Sequence, residues 1–228
     1  MSLPVATACL VKPVTMPVLK AISPVSGPTS IPKPLSQKGE RKQIELLSAA
    51  LRIIARDGHH QLTLRNVAEE ANASHGSVAY HFGSRDALMC AAMEHSSAYL
   101  AETSAKIIPD LEKAADRPKK FAEILSRYNC DLLISNKVMG LVVFELNIAA
   151  AREEYLRPVL YRWGKVLSGI YRTAFEKLGS NNPATDIDFV LHTINGLLVA
   201  QLSFPRRDFE KKILRPSIER LIHSIASS

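Results

Sequence analysis

From Ile44 onward the apolar positions recur with a helical period. Ile44, Leu47, Leu51 and Ile54 fall on one face of a helix, and Gly58 is placed to end it. Thr63 is placed to cap the next helix, which runs from Leu64 to Ala71 with Leu64, Val67, Ala68 and Ala71 facing inward. Asn72 tolerates left-handed backbone and makes the turn. Ser74 then caps a short third helix that runs to His81, Phe82 plugs its end, and Gly83 with Ser84 turns the chain again.

Downstream the pattern predicts helices near 85–107, 117–135, 138–150, 152–179, 185–203 and 209–226. The expected breaks are Pro109, Pro118, the loop from Gly179 to Pro183, and Pro205. Pro158 falls in an early helical turn that tolerates it, whereas Pro216 should kink the last helix or move its start. No segment alternates with period two between turn signals, so the expected fold is all-α. It comprises an N-terminal three-helix head and a C-terminal helical body. The stretch Asp186 to Phe204 is apolar around most of its circumference, which predicts burial on several sides. Ile218, Leu221, Ile222 and Ile225 give the last helix one apolar face. These two helices, doubled by a two-fold axis with Gly196 admitting a close neighbour, would make a four-helix dimer interface.

Residues 1–39 differ in kind. Pro4, Pro13, Pro17, Pro24, Pro28, Pro32 and Pro34 are more than half of the chain's 13 prolines, and the segment carries Lys12, Lys20, Lys33 and Lys38 with no acidic residue. Repeated prolines block helix, so this segment is expected to lack a fold of its own. It reads as a disordered tail or a misassigned start, or else as a basic arm that reaches DNA phosphate. The prolines interrupt every apolar run that a secretory signal would need. The expected organisation is therefore an arm over 1–39, a head over 40–85 and a body over 86–228.

A formal net charge of +7 favours a polyanionic partner without proving one. Cys9, Cys90 and Cys130 are odd in number and widely spaced, which suits a reducing cytoplasm and argues against a disulfide scaffold or zinc site. No run approaches the ~20 apolar residues of a membrane span, and the most apolar stretch, Gly140 to Ala151, is broken by Glu145 and Asn147. The adjacent pair His59-His60 is unsuited to hold one metal from one helical face. No metalloprotease motif, nucleophile elbow or phosphate-binding glycine loop occurs, so neither enzyme activity nor a cofactor or metal is expected.

The informative stretch runs from Thr63 to Leu88. Two short helices joined by a tight polar turn form a helix-turn-helix, whose second helix enters the major groove of DNA. Its outward residues Ser74, His75, Gly76 and Ser77 are small or polar, and Gly76 leaves room for close approach. Tyr80 and His81 offer donors to phosphate. Arg65 and the amides after Thr63 lie at a helix N-terminus that favours an anion. Tyr80 read alone could instead be core packing, and His81 a C-terminal cap.

In the segment Leu62-Thr63-Leu64-Arg65-Asn66-Val67-Ala68-Glu69-Glu70-Ala71 and in Ser74 to Leu88, the sequence resembles the TetR family of repressors. The match extends from Arg41 to Leu88. The resemblance implies that Ser74, His75 and Ser77 face base edges, that Thr63, Tyr80, His81 and Arg85 hold phosphate, and that Gly76 permits contact. Asn72 stands where the family often has glycine, Ala79 where it often has a second tyrosine, and His75 where lysine is frequent. The resemblance further implies a cytoplasmic homodimer whose body binds a small effector and whose partner is a palindromic double-stranded operator.

Tyr128, Phe144, Asn147, Tyr161, Trp163, His192 and Asn195, polar or aromatic within apolar stretches, are the effector-pocket candidates. Each is open to a plainer reading as core or interface. The expected function is a repressor released by its effector. The alternatives are a signal-independent dimeric DNA binder and a protein-interaction module on the same fold.

Overall fold

The computed structural model describes residues 36–227, and within them there is helix and no strand. The expected all-α fold is present. Most of the proline-rich arm, and Cys9 with it, lies outside the described residues.

The head comprises α1 (Gln37–Asp57), α2 (Leu64–Glu70) and α3 (His75–Phe82). Its turns follow local chemistry. Gly58 ends α1 at φ 84°, a left-handed value that favours glycine. Asn72 makes the turn between α2 and α3 at φ 46°. Helix α1 buries Leu46, Ala49, Ala50 and Ile53 as well as Leu47, Leu51 and Ile54 of the predicted stripe, while Ile44 is half-buried. The broader buried face arises because α1 packs against α2 and α4 on one side and against α6 of the body on another.

The body comprises α4 (Arg85–Lys113), α5 (Pro118–Asn129), α6 (Lys137–Arg152), α7 (Arg157–Leu178), α8 (Pro183–Ser203) and α9 (Arg215–Ala226). Helix α4 packs on α7, α5 on α9, and α7 on α8. Phe121 of α5 and Phe175 of α7 meet edge to face at the centre of this core, ring centroids 5.7 Å apart.

Several expected boundaries are corrected. Helix α4 does not stop at Pro109 but continues to Lys113. The proline removes only the amide that would have reached the Ala105 carbonyl, and Ala105 is exposed to water. Pro158 and Pro216 both sit in first turns, where a missing amide costs little. The helix expected over 117–135 is interrupted by a π-turn at Cys130–Ser135, and the last helix, whose start Pro216 was expected to move, begins at Arg215 after a second π-turn at Glu210–Leu214. Helix α8 buries Ile187, Val190, Ile194 and Leu198 on one face only. Its other face carries Phe189 and Val199 outward, 57% and 44% exposed in the single chain.

The first π-turn explains one glycine. It pushes the Leu133 carbonyl against the backbone of α6 at Gly140, where a Cβ would overlap that oxygen. The obstacle is backbone on both sides, so it cannot swing away. Gly140→Ala is expected to cost about 1–3 kcal/mol by overpacking, which corresponds to a fall of about 3–10 °C in melting temperature for a chain of this size. Thermal denaturation followed by circular dichroism checks this; an unchanged midpoint would contradict the packing described.

Candidate nucleic-acid interface, its junction with the body, and a groove

Three side-chain caps build the interface. Thr63 Oγ1 accepts from the Asn66 amide at 3.0 Å, Ser74 Oγ from the Ser77 amide at 3.1 Å, and Ser84 Oγ from the Ala87 amide at 3.1 Å. Each reaches a first-turn amide that lacks the usual acceptor four residues back within its helix, and the Ser77 amide also meets the Ser74 carbonyl at 3.0 Å. Together they fix where α2, α3 and α4 begin. Val78 and Phe82 are buried and anchor α3 to the head, leaving its other face free.

That outward face carries most of the predicted residues. Ser74, His75 and Gly76 are exposed, Ser77 is half-buried, and Tyr80 is 78% exposed. Tyr80 is therefore not packed between head and body. A Cβ added at Gly76 would meet nothing closer than Ser74 Oγ at 4.0 Å. Arg65 is exposed and pairs with Glu69 one helical turn on, at 3.0 Å.

His81 lies half-buried beside Tyr80, ring centroids 5.3 Å apart. Burial, and secondarily the Lys42 charge, hold its pKa below the ordinary value, so the ring is neutral at pH 7. Its Nδ1 is buried with no hydrogen-bond partner among the described residues. The tautomer with hydrogen on Nε2 avoids stranding an N–H there, and leaves one donor on the ring.

Arg85 is placed differently from the expectation. Its Nε donates to the Leu62 carbonyl at 3.1 Å and an Nη to the His59 carbonyl at 3.4 Å. The guanidinium places two of its donors on the segment between α1 and α2, and so acts as a strut between that segment and α4.

The same segment meets the body through a contact that sequence reasoning missed. His59 is buried, and its Nδ1 lies 2.9 Å from Glu145 Oε2 of α6. The His59 amide donates to the same oxygen at 3.3 Å. Burial pushes the Glu145 carboxyl up, but the two hydrogen bonds from His59 outweigh it and its pKa lies below the ordinary carboxylate value. The carboxylate is thus ionised and only accepts, which places the imidazole hydrogen on Nδ1. The one available signal was Glu145 itself, a charge inside the most apolar stretch of the chain, which needs a partner when it packs inward.

Of the seven pocket candidates, only Tyr128 lines the groove that opens between α4 and α5. This groove holds about 410 Å³ and is walled by Tyr99, Thr103, Ile107, Ile124, Tyr128 and Leu132. Its rim carries Lys120, Glu123, Arg127 and Asp131. Phe144 and Asn147 are half-buried on α6, and the Asn147 amide donates to the Val143 carbonyl at 2.7 Å. Trp163 of α7 and Asn195 of α8 are half-buried. Tyr161 is 66% exposed beneath the Lys165 ammonium, and His192 is exposed with Nδ1 on the Asp188 carbonyl. Both lie on outward faces of their helices, so as pocket walls within one chain they are corrected.

Among the described residues no group of three His, Cys, Asp or Glu gathers as metal ligands, and no single helix is long and apolar enough to cross a membrane. Burial raises both described thiols, that of Cys130 to about 11, and neither is activated for chemistry.

A helix-turn-helix with its second helix turned outward, set on an all-helical body, defines a helix-turn-helix transcriptional regulator. The chain belongs to the TetR family: residues 46–92 match the family model described as bacterial regulatory proteins of the tetR family, and residues 117–227 match the tetracyclin repressor-like C-terminal domain. It is 31% identical over 116 residues to the nicotine-responsive transcriptional repressor HdnoR of Paenarthrobacter nicotinovorans, covering 51% of this chain and 57% of that one, under two thirds of that relative's length. It is 24% identical over 161 residues to the transcriptional regulator LmrA of Bacillus subtilis strain 168, covering 68% and 84% of the two chains. In fold it is similar to the multidrug binding protein EbrR complexed with ethidium, with TM-score 0.61 and 24% identity over 79% of this chain and 98% of that one. It is likewise similar to a TetR-family member from Streptomyces coelicolor A3, with TM-score 0.64 and 24% identity over 79% and 97%.

Thr63→Ala removes the cap of α2 and is expected to cost about 1 kcal/mol. Amide exchange checks it locally. The Asn66 amide should lose protection while the amides of α7 keep theirs; equal protection at Asn66 in both proteins would show that the hydroxyl does not cap.

Proposed function

We propose that this chain is a homodimeric transcriptional repressor that holds a palindromic operator through α3 and is released by a small molecule bound in its body. The observation that carries the reading is the outward face of α3. Tyr80 is exposed at a cost in apolar surface left in water, and Gly76 is a glycine that nothing among the described residues requires. Both make sense against a close external surface. A glycine in a helix is destabilising by up to about 1 kcal/mol relative to alanine, so its benefit lies in what approaches it.

In this reading Ser74, His75 and Ser77 meet base edges, while Thr63, Arg65, Tyr80 and the Nε2–H of His81 meet phosphate. Arg85 acts as a positioning residue. The boundary between head and body falls at Arg85, where α4 leaves the recognition unit. The outward stripe of α8, with Phe189, Gly196 and Val199, meets the same stripe of a second copy, and α9 flanks it. Two α3 helices about 34–36 Å apart then enter successive major grooves. The chain works in the cytoplasm, where its thiols stay reduced.

Support for an effector comes from the relatives. HdnoR is named as nicotine-responsive, and EbrR is described in complex with ethidium, malachite green and proflavin. Release follows from linkage. A ligand that favours a body conformation with the wrong spacing of the two heads weakens operator binding, and operator weakens ligand binding by the same factor.

Selection of bound sequences from a random duplex pool tests the core of this reading. Wild type should recover a palindrome, and Tyr80→Ala should lose it. Gly76→Ala should bind that palindrome more weakly while melting no lower than wild type. An unenriched pool, or Gly76→Ala binding as wild type does, would overturn the proposal.

A further inference from the structure

The helix-turn-helix formally brings no net positive charge to DNA. From Leu64 to Phe82 it holds one arginine against two glutamates. Arg65 pairs with Glu69 at 3.0 Å, and the half-buried His81 ring is neutral. Just beyond, Arg85 lies 3.7 Å from Asp86 while it braces the Leu62 and His59 carbonyls. Thr63, Tyr80 and His81, assigned to phosphate above, are uncharged donors. They orient a duplex but release no counterions, and neutralising phosphate supplies a large share of the affinity for DNA. The cations that do so are therefore expected elsewhere on the head.

Helix α1 carries them. Lys38, Arg41, Lys42, Glu45, Arg52 and Arg56 fall within about 100° of arc on one side of the helix. This stripe divides in two. Toward its C-terminal end, Arg52 and Arg56 both bond Glu70 of α2, at 2.8 and 3.0 Å, and Arg56 also meets Asp57 at 2.9 Å, so their charges are answered within the head. Toward its N-terminal end, Lys42 has Glu45 at 3.0 Å, whereas Lys38 and Arg41 are exposed and make no ion pair among the described residues. Glu40, the other carboxylate of these turns, sits on the far side of the helix. Lys42 lies close enough to His81 for its charge to act on that ring. The unpaired part of the stripe is thus continuous with the end of α3 that carries Tyr80 and His81. The opposite end of α1 leads to the junction with the body at His59.

We propose that Lys38, Arg41 and Lys42 grip the duplex backbone beside the bases that α3 meets, and that they supply most of the salt-dependent affinity of each half-site. The inference rests on the DNA-binding reading above, and it adds the residues that neutralise the DNA. Glu45 sets the strength of the grip. It holds Lys42 in the free chain, and a backbone phosphate competes with that carboxylate for the ammonium. The head so divides two tasks between elements: base reading falls to α3, which has no lysine or arginine, and charge neutralisation to the start of α1.

Fluorescence anisotropy of the full chain on the palindrome recovered by wild type tests it, read as the slope of log affinity against log salt concentration. Each phosphate contact removed lowers the slope by about 0.9, so Lys38→Gln with Arg41→Gln, doubled in a dimer, should lower its magnitude by about 3–4. Sequence selection by this double variant should return the wild-type palindrome. Glu45→Gln releases Lys42 and should tighten binding by roughly two- to fivefold per half-site, the worth of one exposed ion pair. Glu40→Gln makes the same change in net charge on the far side of α1 and should leave affinity within about twofold of wild type, because salt screens a distant exposed charge. All four substituted side chains are exposed, and a melting midpoint at the wild-type value verifies folding.

The inference is overturned if the double variant keeps the wild-type slope, if it selects a different palindrome, or if Glu45→Gln binds no more tightly than Glu40→Gln. A chain that selects an operator yet shows any of these results keeps the regulator reading and loses only the role of α1. A wild-type chain that selects no sequence loses the regulator reading itself.

Discussion

Glu145 of the body reaches into the head and holds a buried histidine, and the placement of the DNA-binding unit depends on that contact. Two groups of His59, the imidazole Nδ1–H and the backbone amide, converge on one carboxylate oxygen. Arg85 closes the junction from the other side by taking the carbonyls of His59 and Leu62. The segment between α1 and α2 thus has donors and acceptors satisfied by α4 and α6 together. A buried polar group left unpaired costs more than the pair contributes when made. The junction is therefore expensive to break on one side, and it specifies one seating of the head on the body.

This seating connects packing to function. The outward face of α3 is prepared locally, by the Ser74 cap and by Val78 and Phe82 in the core. Where that face points is prepared remotely, by α4 and α6. Helix α4 runs from the strut Arg85, past the groove at Tyr99 and Thr103, to Lys113. A body that changes the tilt of α4 or the position of α6 moves the recognition helix without touching it. Rigid elements joined by a small number of discrete polar contacts are the kind of structure that carries such coupling.

The legible parts of the sequence are those encoded within a few residues. Thr63, Asn72 and Ser74 act on amides or dihedral angles within three positions of themselves, and each sits in the structure as read. The helical period of α1 was readable for the same reason, although its second buried face required knowing that α6 lies against it. The π-turns were not readable, because the residues of Cys130–Ser135 have ordinary helical composition and the extra residue in the turn is accommodated by Gly140 in the next helix. Pro109 misled because a lost backbone bond is cheap where water replaces it. The pairing of His59 with Glu145 spans 86 positions, and no local rule joins them. Arg85 and Tyr161 show the limit from the other direction: their chemistry suggested phosphate and ligand, and only the tertiary placement shows one bracing two backbone carbonyls and the other facing solvent.

The most direct test of the account is the operator affinity of Glu145→Gln across a range of salt concentrations, alongside wild type and with folding verified. Glu145 lies in the body, on α6, and acts on DNA only through the seating of the head. Its loss should weaken binding by roughly tenfold, within the range of about 0.5–2 kcal/mol for coupling residues that touch no ligand. The slope of affinity against salt should stay at the wild-type value, because the phosphate contacts are the same. Unchanged affinity in a folded protein would contradict the claim that this junction positions the DNA-binding unit.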